Sequence, residues 1–496
     1  MIKKIFLPIF VTFLLVVCFW RCSKQDNFIT KADAKLQFST DTLHCDTVFT
    51  SLGSATYQFR VINTHSQPIK ISRIYIPATG KKSFFNLNID GIAGNDQRNI
   101  EVPANDSIYV FARVTIDPNQ PLSVSPFVID DEILFETNGN VQRVVLEAWG
   151  QNANYLPSKF SAGSLSLLTC SLNNITWDDP KPYVIYGVLL VDSCTLNIPA
   201  GARIYVHGGL AKNASLGRYR DGIIYILPNG KINISGTADR PVTIQGDRLE
   251  PDFKDIAGQW AGIVIGAGSV GNNIQFADIK NSTVGVRVDS AADLTIKNTK
   301  IFNTASSALI GQQATIFAEN CLFFNNSDNS VSLNYGGDYD FKYCTAASYG
   351  VDAVALRLSN TLCLDAPFCT TFRTAQLTAE FQNCIFYGSR KDEIGLFNRI
   401  KNSAPNELNY RFRNCIFRVD ELVTKDGYTD FYTFCNAACI NGDALTKVFK
   451  DANGDDYHLD SLSVGIEKAL PISGITTDIT GKLRKAAKPD IGCFEQ

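Results

Sequence analysis

Apolar and polar residues alternate with a period of two over much of this chain, the pattern of a strand with one buried face. The alternation is aligned from run to run. Leu294 and Ile296, Ile316 and Ala318, Tyr339 and Phe341, Ala379 and Phe381, and Tyr410 and Phe412 hold the apolar positions of successive runs. The residues that follow, Lys297, Glu319, Lys342, Gln382 and Arg413, are polar and should face water. The alternation then breaks at Asn298, Asn320, Tyr343, Asn383 and Asn414, and resumes inward at Thr299, Cys321, Cys344, Cys384 and Cys415. The break predicts a corner between two short strands, because Asn tolerates the left-handed backbone that a corner needs. Identical amides one rung apart, ~4.8 Å, can also bond along the stack. Tyr343 interrupts the column and predicts a local irregularity.

A second phrase fixes the spacing. Asp278-Ile279-Lys280-Asn281, Lys300-Ile301-Phe302-Asn303 and Leu322-Phe323-Phe324-Asn325 lie 22 residues apart. A fixed period of this size means stacked coils, each burying its apolar face on its neighbours. The strands are rich in Ile, Val and Phe, with Gly and Asn between them. This predicts a parallel β-helix and not a helical repeat.

Residues 35–150 alternate differently, in short strands separated by turn clusters at Gly80, Gly91, Gly94, Asn105-Asp106 and Asn138-Gly139. Ile108, Val110, Ala112, Val114 and Ile116 share one face of such a strand. Strands at this spacing predict a β-sandwich. Residues 151–180 read as a connection and 181–496 as the β-helix with a closing segment. The fold class expected is therefore all-β, an N-terminal β-sandwich followed by a right-handed single-stranded parallel β-helix.

The first residues carry an address. Lys3 and Lys4 precede an apolar run from Ile5 to Trp20, shorter than the ~20 residues of a membrane-spanning helix. Residues 1–22 are read as a targeting signal and 23–34 as a tether. The run ends at Cys18 and Cys22 before polar Ser23-Lys24-Gln25-Asp26, which resembles a bacterial lipoprotein signal. Cys22 is the preferred lipidated residue and Cys18 the alternative. Arg21 departs from the small residue usual at that place.

Further phrases extend the likeness. The stretch from Arg60 to Ile71 resembles the immunoglobulin-like modules that precede repeat domains in envelope proteins. Leu196-Asn197-Ile198, Ile232-Asn233-Ile234, the Asn-Cys column and the final Pro489-Asp490-Ile491-Gly492-Cys493-Phe494-Glu495 resemble the pectate-lyase-like, right-handed β-helix surface lipoproteins of Bacteroidota. That resemblance implies a cell-envelope location, on the outer membrane at its surface or periplasmic face, with a lipid anchor. It leaves activity open, since such folds serve both lyases and adhesins. Ser463-Val464-Gly465-Ile466-Glu467-Lys468 departs from the usual Ser-Pro-Ala-Ile-Asp, so closure of the last coil is expected to differ there.

Composition narrows the chemistry. Of 496 residues, 46 are basic and 49 acidic, so no field for nucleic acid exists. His44, His65, His207 and His458 are scattered, which predicts no histidine-based metal cluster and no Ser-His-Asp arrangement. The column cysteines read as buried thiols. Cys363 with Cys369, and Cys435 with Cys439, lie in loop-like segments as candidate local disulfides.

Two insertions suggest where a ligand goes. Cys384 follows Cys344 by 40 residues and Cys415 follows Cys384 by 31, against a repeat of 22. The excess falls at 359–376 and 398–407, and both segments should leave the same edge and wall a groove. Candidate catalytic residues are Asp338, Asp340 and Lys342 on the outward face of one strand, with Arg357 on the next. Carboxylates two residues apart on a strand, ~6.5 Å between Cα atoms, could share acid/base work or bind Ca²⁺ through oxygen. A solvated charged face is the plainer reading of the same residues. Phe368, Phe372 and Phe397 are candidate sugar-stacking residues, or loop packing. The sequence favours binding of an extended ligand, a glycan or partner surface. A polysaccharide lyase or glycoside hydrolase is the alternative and a structural spacer the third reading. It names no ligand.

Overall fold

The computed structural model describes residues 27–49, 56–77, 83–115, 129–151, 153–156, 165–170, 173–213, 217–249, 252–401, 404 and 407–496. The expected signal, with Cys18 and Cys22, lies outside them. No helix among the described residues is long and apolar enough to cross a membrane. The chain forms two compact units, Met1–Gly150 and Gln151–Gln496.

The first unit has two five-stranded antiparallel sheets, a β-sandwich. One sheet contains Tyr57–Asn63, Asp106–Val114 and Phe85–Ile89; the other contains Asn140–Gln151, Ile129–Thr137 and Ile69–Tyr75. Alternation decides which residues enter the core. On Asp106–Val114, Ile108, Val110, Ala112 and Val114 are buried while Tyr109 and Arg113 are exposed.

The second unit is a parallel β-helix with three strands per coil. A first face stacks Leu189, Ile224, Ile263, Val286, Leu309, Val331, Leu356 and Ile394 in unbroken register. A second face continues from strand Thr195–Pro199 to Leu408–Arg413. The third is an eleven-stranded sheet. Inward columns of all three faces are buried, and Phe381 and Phe412 stack with centroids 4.9 Å apart. A buried side chain of this size contributes ~1.5–3 kcal/mol, so the repeat is held by its own register.

The corner between the second and third faces is left-handed throughout, at Asn298, Asn320, Asn383 and Asn414. Asn320 Nδ2 donates to Asn298 Oδ1 at 3.0 Å, the expected bond along the stack. Tyr343 is no irregularity. Its φ of 53° matches its Asn neighbours. The ring is fully buried, and its hydroxyl donates to Leu470 O at 2.8 Å. A tertiary partner thus holds a residue that intrinsic preference disfavours there.

Cys321, Cys344, Cys384 and Cys415 are buried thiols, and Cys363–Cys369 is a disulfide. A second disulfide joins Cys170 to Cys194, a pairing across coils that local spacing did not reveal. Cys435 and Cys439, read from the sequence as a candidate local disulfide, are thiols. Ile440 pairs with Ile416, so Cys439 falls on the inward column above Cys415, and its Sγ donates to Asn436 Oδ1 at 3.3 Å.

The last paired rung is Ile440–Asn441. Phe431, in the short helical turn Phe431–Phe434, packs on Tyr410, Phe412 and Phe417 at that end. Residues 442–496 do not continue the coil. They run back along the outside of the eleven-stranded sheet, packing Val448, Leu459 and Ile491 on Ile385 and Ile416, and Tyr457 and Phe494 on Leu322 and Phe324. The departure at 463–468 falls in this strap, where Lys468 O accepts from Asn414 Nδ2 at 2.9 Å.

Candidate functional site

The strap covers much of the third face, and two loops border the second. The outer side of the second face carries three columns of polar side chains, set by strand parity. The middle column reads Asn197, Asn233, Asn273, Thr295, Phe317, Asp340, Glu380 and Arg411 in register. Asn233 Nδ2 donates to Asn197 Oδ1 at 3.0 Å, and Asn273 Nδ2 to Asn233 Oδ1 at 3.2 Å. Each amide has two donors and a two-lone-pair acceptor, so the ladder leaves bonding capacity for a ligand. Next to it lies a shallow hollow of about 400 Å³ lined by Gly271, Asn273, Asp293, Thr295, Thr315 and Phe317. Asp293 Oδ1 braces its rim by accepting from Gly271 N at 2.6 Å and Asn272 N at 3.2 Å.

Phe317 is half-buried, with the ammonium groups of Lys297 and Lys342 at 5.2 and 4.9 Å from its ring centroid. Both lysines also meet carboxylates: Lys297 with Glu319 at 2.8 Å and Lys342 with Asp340 at 2.9 Å. Glu380, one rung beyond Asp340, lies 4.0 Å from Arg411 and 3.7 Å from Arg413. These cations and carboxylates neutralise one another. The face is polar, one-sidedly aromatic and close to uncharged.

The structure places the sequence candidates unevenly. Asp340 and Lys342 form the ion pair just given. Asp338 is exposed between Thr315 and Thr378. Arg357 does not join them. It lies on strand Leu356–Ser359 of the first face, around a corner, with its guanidinium 5.9 Å from the centroid of Phe397. Asp338 and Asp340 do not fit a Ca²⁺ site, which wants six to eight oxygens. Asp340 is engaged by Lys342, and no metal-holding group of three or more acidic, His or Cys residues occurs among the described residues.

The two insertions do leave one edge, between Leu356–Ser359 and Leu377–Gln382 and between Ile394–Phe397 and Leu408–Arg413. They are bonded to each other. Asn360 Nδ2 donates to Asn398 Oδ1 at 3.1 Å, and Arg399 Nη2 to Phe368 O at 3.3 Å and Cys369 O at 3.1 Å. Phe372 lies in the small hairpin of Thr361–Cys363 with Phe372–Thr374. Phe397 has both Arg357 and Arg399 over its ring, so cations occupy it. Phe368 is 76% exposed at the loop tip.

The amide ladder, Phe317, Glu380 and Arg411 were missed as a site. Their signal was present, since Leu196-Asn197-Ile198 and Ile232-Asn233-Ile234 are triplets whose Asn has outward parity. Only the register shows that they stack.

Residues 169–353 match a family described as a pectate-lyase-like β-helix domain. No curated protein matches the chain. Among solved structures, the chain is similar to a protein of unknown function from Porphyromonas gingivalis W83, at 13% identity over 23% of this chain and 46% of that one, TM-score 0.18. The chain thus spans less than half of that structure. It is also similar to the catalytic unit of a thermostable GH87 α-1,3-glucanase from Streptomyces thermodiastaticus strain HF3-3, at 11% identity over 72% and 73%, TM-score 0.26. A third is XylC in complex with xylose, at 9% identity over 92% and 89%, TM-score 0.30.

Proposed function

We propose that this chain is an envelope protein that binds an extended, uncharged polysaccharide along the outer side of the second β-helix face. The amide ladder of Asn197, Asn233 and Asn273, with Phe317 two rungs further along the same column, carries the reading. Rungs ~4.8 Å apart repeat at about the length of one pyranose, so successive sugars would meet equivalent amides. A half-buried ring beside polar groups is the usual composition of a site that takes a ring-shaped polar ligand. The charge pairing on the face argues against a polyanion. The lipid anchor at Cys22, with Cys18 as alternative, and an outer-membrane location belong to the same proposal, on the character of residues 1–22.

A glycan array, followed by affinity electrophoresis with the neutral hits, tests binding. Phe317→Ala and Asn233→Ala should each weaken retention, and unchanged retention of both would remove the site. Intact mass tests the anchor: Cys22→Ala should lose the diacylglyceryl adduct, and a retained adduct would move it to Cys18.

A second reading is cleavage. Asp340 and Glu380 stand on adjacent rungs with Lys342, Arg411 and Arg413 around them, an arrangement that could divide acid and base roles. A reducing-end assay on bound glycans decides it. Product formed by the wild type and lost in Asp340→Asn and Glu380→Gln would establish an enzyme. Binding without product would establish the module.

A further inference from the structure

The final rung of the β-helix ends its core on sulfur. In earlier rungs the inward position two before the corner is Phe341, Phe381 and Phe412, and the position after the corner is Cys344, Cys384 and Cys415. In the last rung Phe412 pairs with Cys435, while Ile416 pairs with Ile440 and so sets Cys439 over Cys415. The segment Asn436-Ala437-Ala438 turns between them, with Asn436 Nδ2 donating to Asn414 Oδ1 at 2.9 Å. Both thiols therefore point to the same interior, five residues inclusive from one another, at the end of the stack. Cys439 Sγ donates to Asn436 Oδ1 at 3.3 Å and Cys435 Sγ to Phe431 O at 3.7 Å, and both side chains pack against the same core. Six of the eight free cysteines among the described residues are buried, and only Cys435 and Cys439 are partly accessible. The same chain holds two disulfides, so it matures where disulfides form.

We propose that Cys435 and Cys439 are a redox-active dithiol, in which Cys439 is the attacking thiol and Cys435 the resolving one. The thiolate of Cys439 attacks one sulfur of an external disulfide, forming a mixed disulfide and expelling one thiolate. The sulfur of Cys435 then attacks Cys439, forming the Cys435–Cys439 bond and expelling the second thiolate. Two protein thiols are oxidised, one external disulfide is reduced to two thiols, and the protons pass to the products. The order of attack follows from the contacts. Cys439 stacks over Cys415 at the rung end, and the neighbouring Cys415 and Cys435 groups hold its titration low, whereas Cys435 is held high by Cys439 and by burial. The oxidised pair staples the last rung, and the reduced pair leaves it closed only by Phe431 and its neighbours.

The test uses the full chain and oxidised glutathione as the disulfide. After mild reduction, N-ethylmaleimide under native conditions should label Cys439 and Cys435 ahead of the six buried thiols, read by peptide mapping. Oxidised glutathione should then yield wild-type protein two hydrogens lighter, with Cys435 and Cys439 in one cross-linked peptide. Cys435→Ser should instead accumulate a stable glutathionyl adduct on Cys439, and Cys439→Ser should accumulate none. If either variant fails to fold, a quenched time course on the wild type gives the same information, since the transient adduct should map to Cys439. An adduct that maps to Cys435, or a wild type that neither labels at these positions nor loses hydrogens, would overturn the proposal.

Discussion

Arg484 Nη2 donates to Asn320 Oδ1 at 2.7 Å, joining the C-terminal strap to the corner column across 164 positions of sequence. The same guanidinium lies 3.9 Å from the centroid of Tyr343 and 3.4 Å from Glu495 Oε2, with both charged side chains almost fully buried. The Asn column therefore does two jobs. Its backbone turns the corner and its amides receive the strap.

Breaking this pair should be costly. Arg484→Ala leaves Glu495 buried without its cation, and the expected loss is ~3–5 kcal/mol. Combining it with Glu495→Gln should recover part of that loss. Chemical denaturation of the four proteins of the cycle checks it; additive losses would show that the two side chains act independently.

The corner can be separated into backbone and side-chain parts at Asn383. It donates to Leu470 O at 2.7 Å and accepts from Leu470 N at 3.0 Å, with φ at 57°. Asn383→Gly keeps the left-handed backbone and loses both bonds, at ~1 kcal/mol each. Asn383→Ala loses the bonds and adds ~1–2 kcal/mol of strain. Ala should be the less stable in thermal melts, and both should release the strap earlier in limited proteolysis. Equal melting of the two variants would deny the backbone term.

Glu393 makes stability depend on pH. It is fully buried, and its carboxylate accepts from Arg390 N at 2.8 Å and Ala355 N at 3.0 Å. Burial outweighs these bonds and raises its pKa from 4.5 to about 7. A folded pKa above the unfolded one stabilises the protein below about 4.5, and that stability is lost as pH rises through about 7. The change is on the order of 3 kcal/mol. Glu393→Gln should flatten this part of the stability profile, measured by urea denaturation from acid to neutral pH, although Gln cannot accept both amide hydrogens. A slope identical to wild type would place the titration elsewhere.

On the second face, Phe317→Ala should weaken a bound neutral glycan about tenfold, equivalent to ~1.4 kcal/mol. Phe397→Ala should leave it unchanged, because Arg357 and Arg399 already occupy that ring. Calorimetric titration with an array hit measures both. A larger effect at Phe397 would move the site to the loop edge.

The repeat was legible because its determinants are local. A period of two places Phe341, Phe381 and Phe412 inward, a fixed step stacks them, and Asn turns the corner. Those three features suffice for the β-helix, the corner and the loop edge. The sandwich followed in the same way from alternation on strands such as Asp106–Val114. Tyr343, the partner of Arg357 and the state of Cys435 and Cys439 were not legible. Tyr343 depends on a hydroxyl contact to Leu470, Arg357 on which side of a corner its strand falls, and the cysteines on which earlier residue each one covers.

The sequence by itself determined which residues face inward, where the chain turns and how often, since these depend on neighbours a few positions away. The tertiary structure alone decided that residues 442–496 bind the sheet from outside, and that Asn197, Asn233 and Asn273 form one ladder. It likewise decided that Glu380 meets Arg411 and Arg413. Those contacts join residues tens to more than a hundred positions apart, and no local preference selects among the partners available at such range.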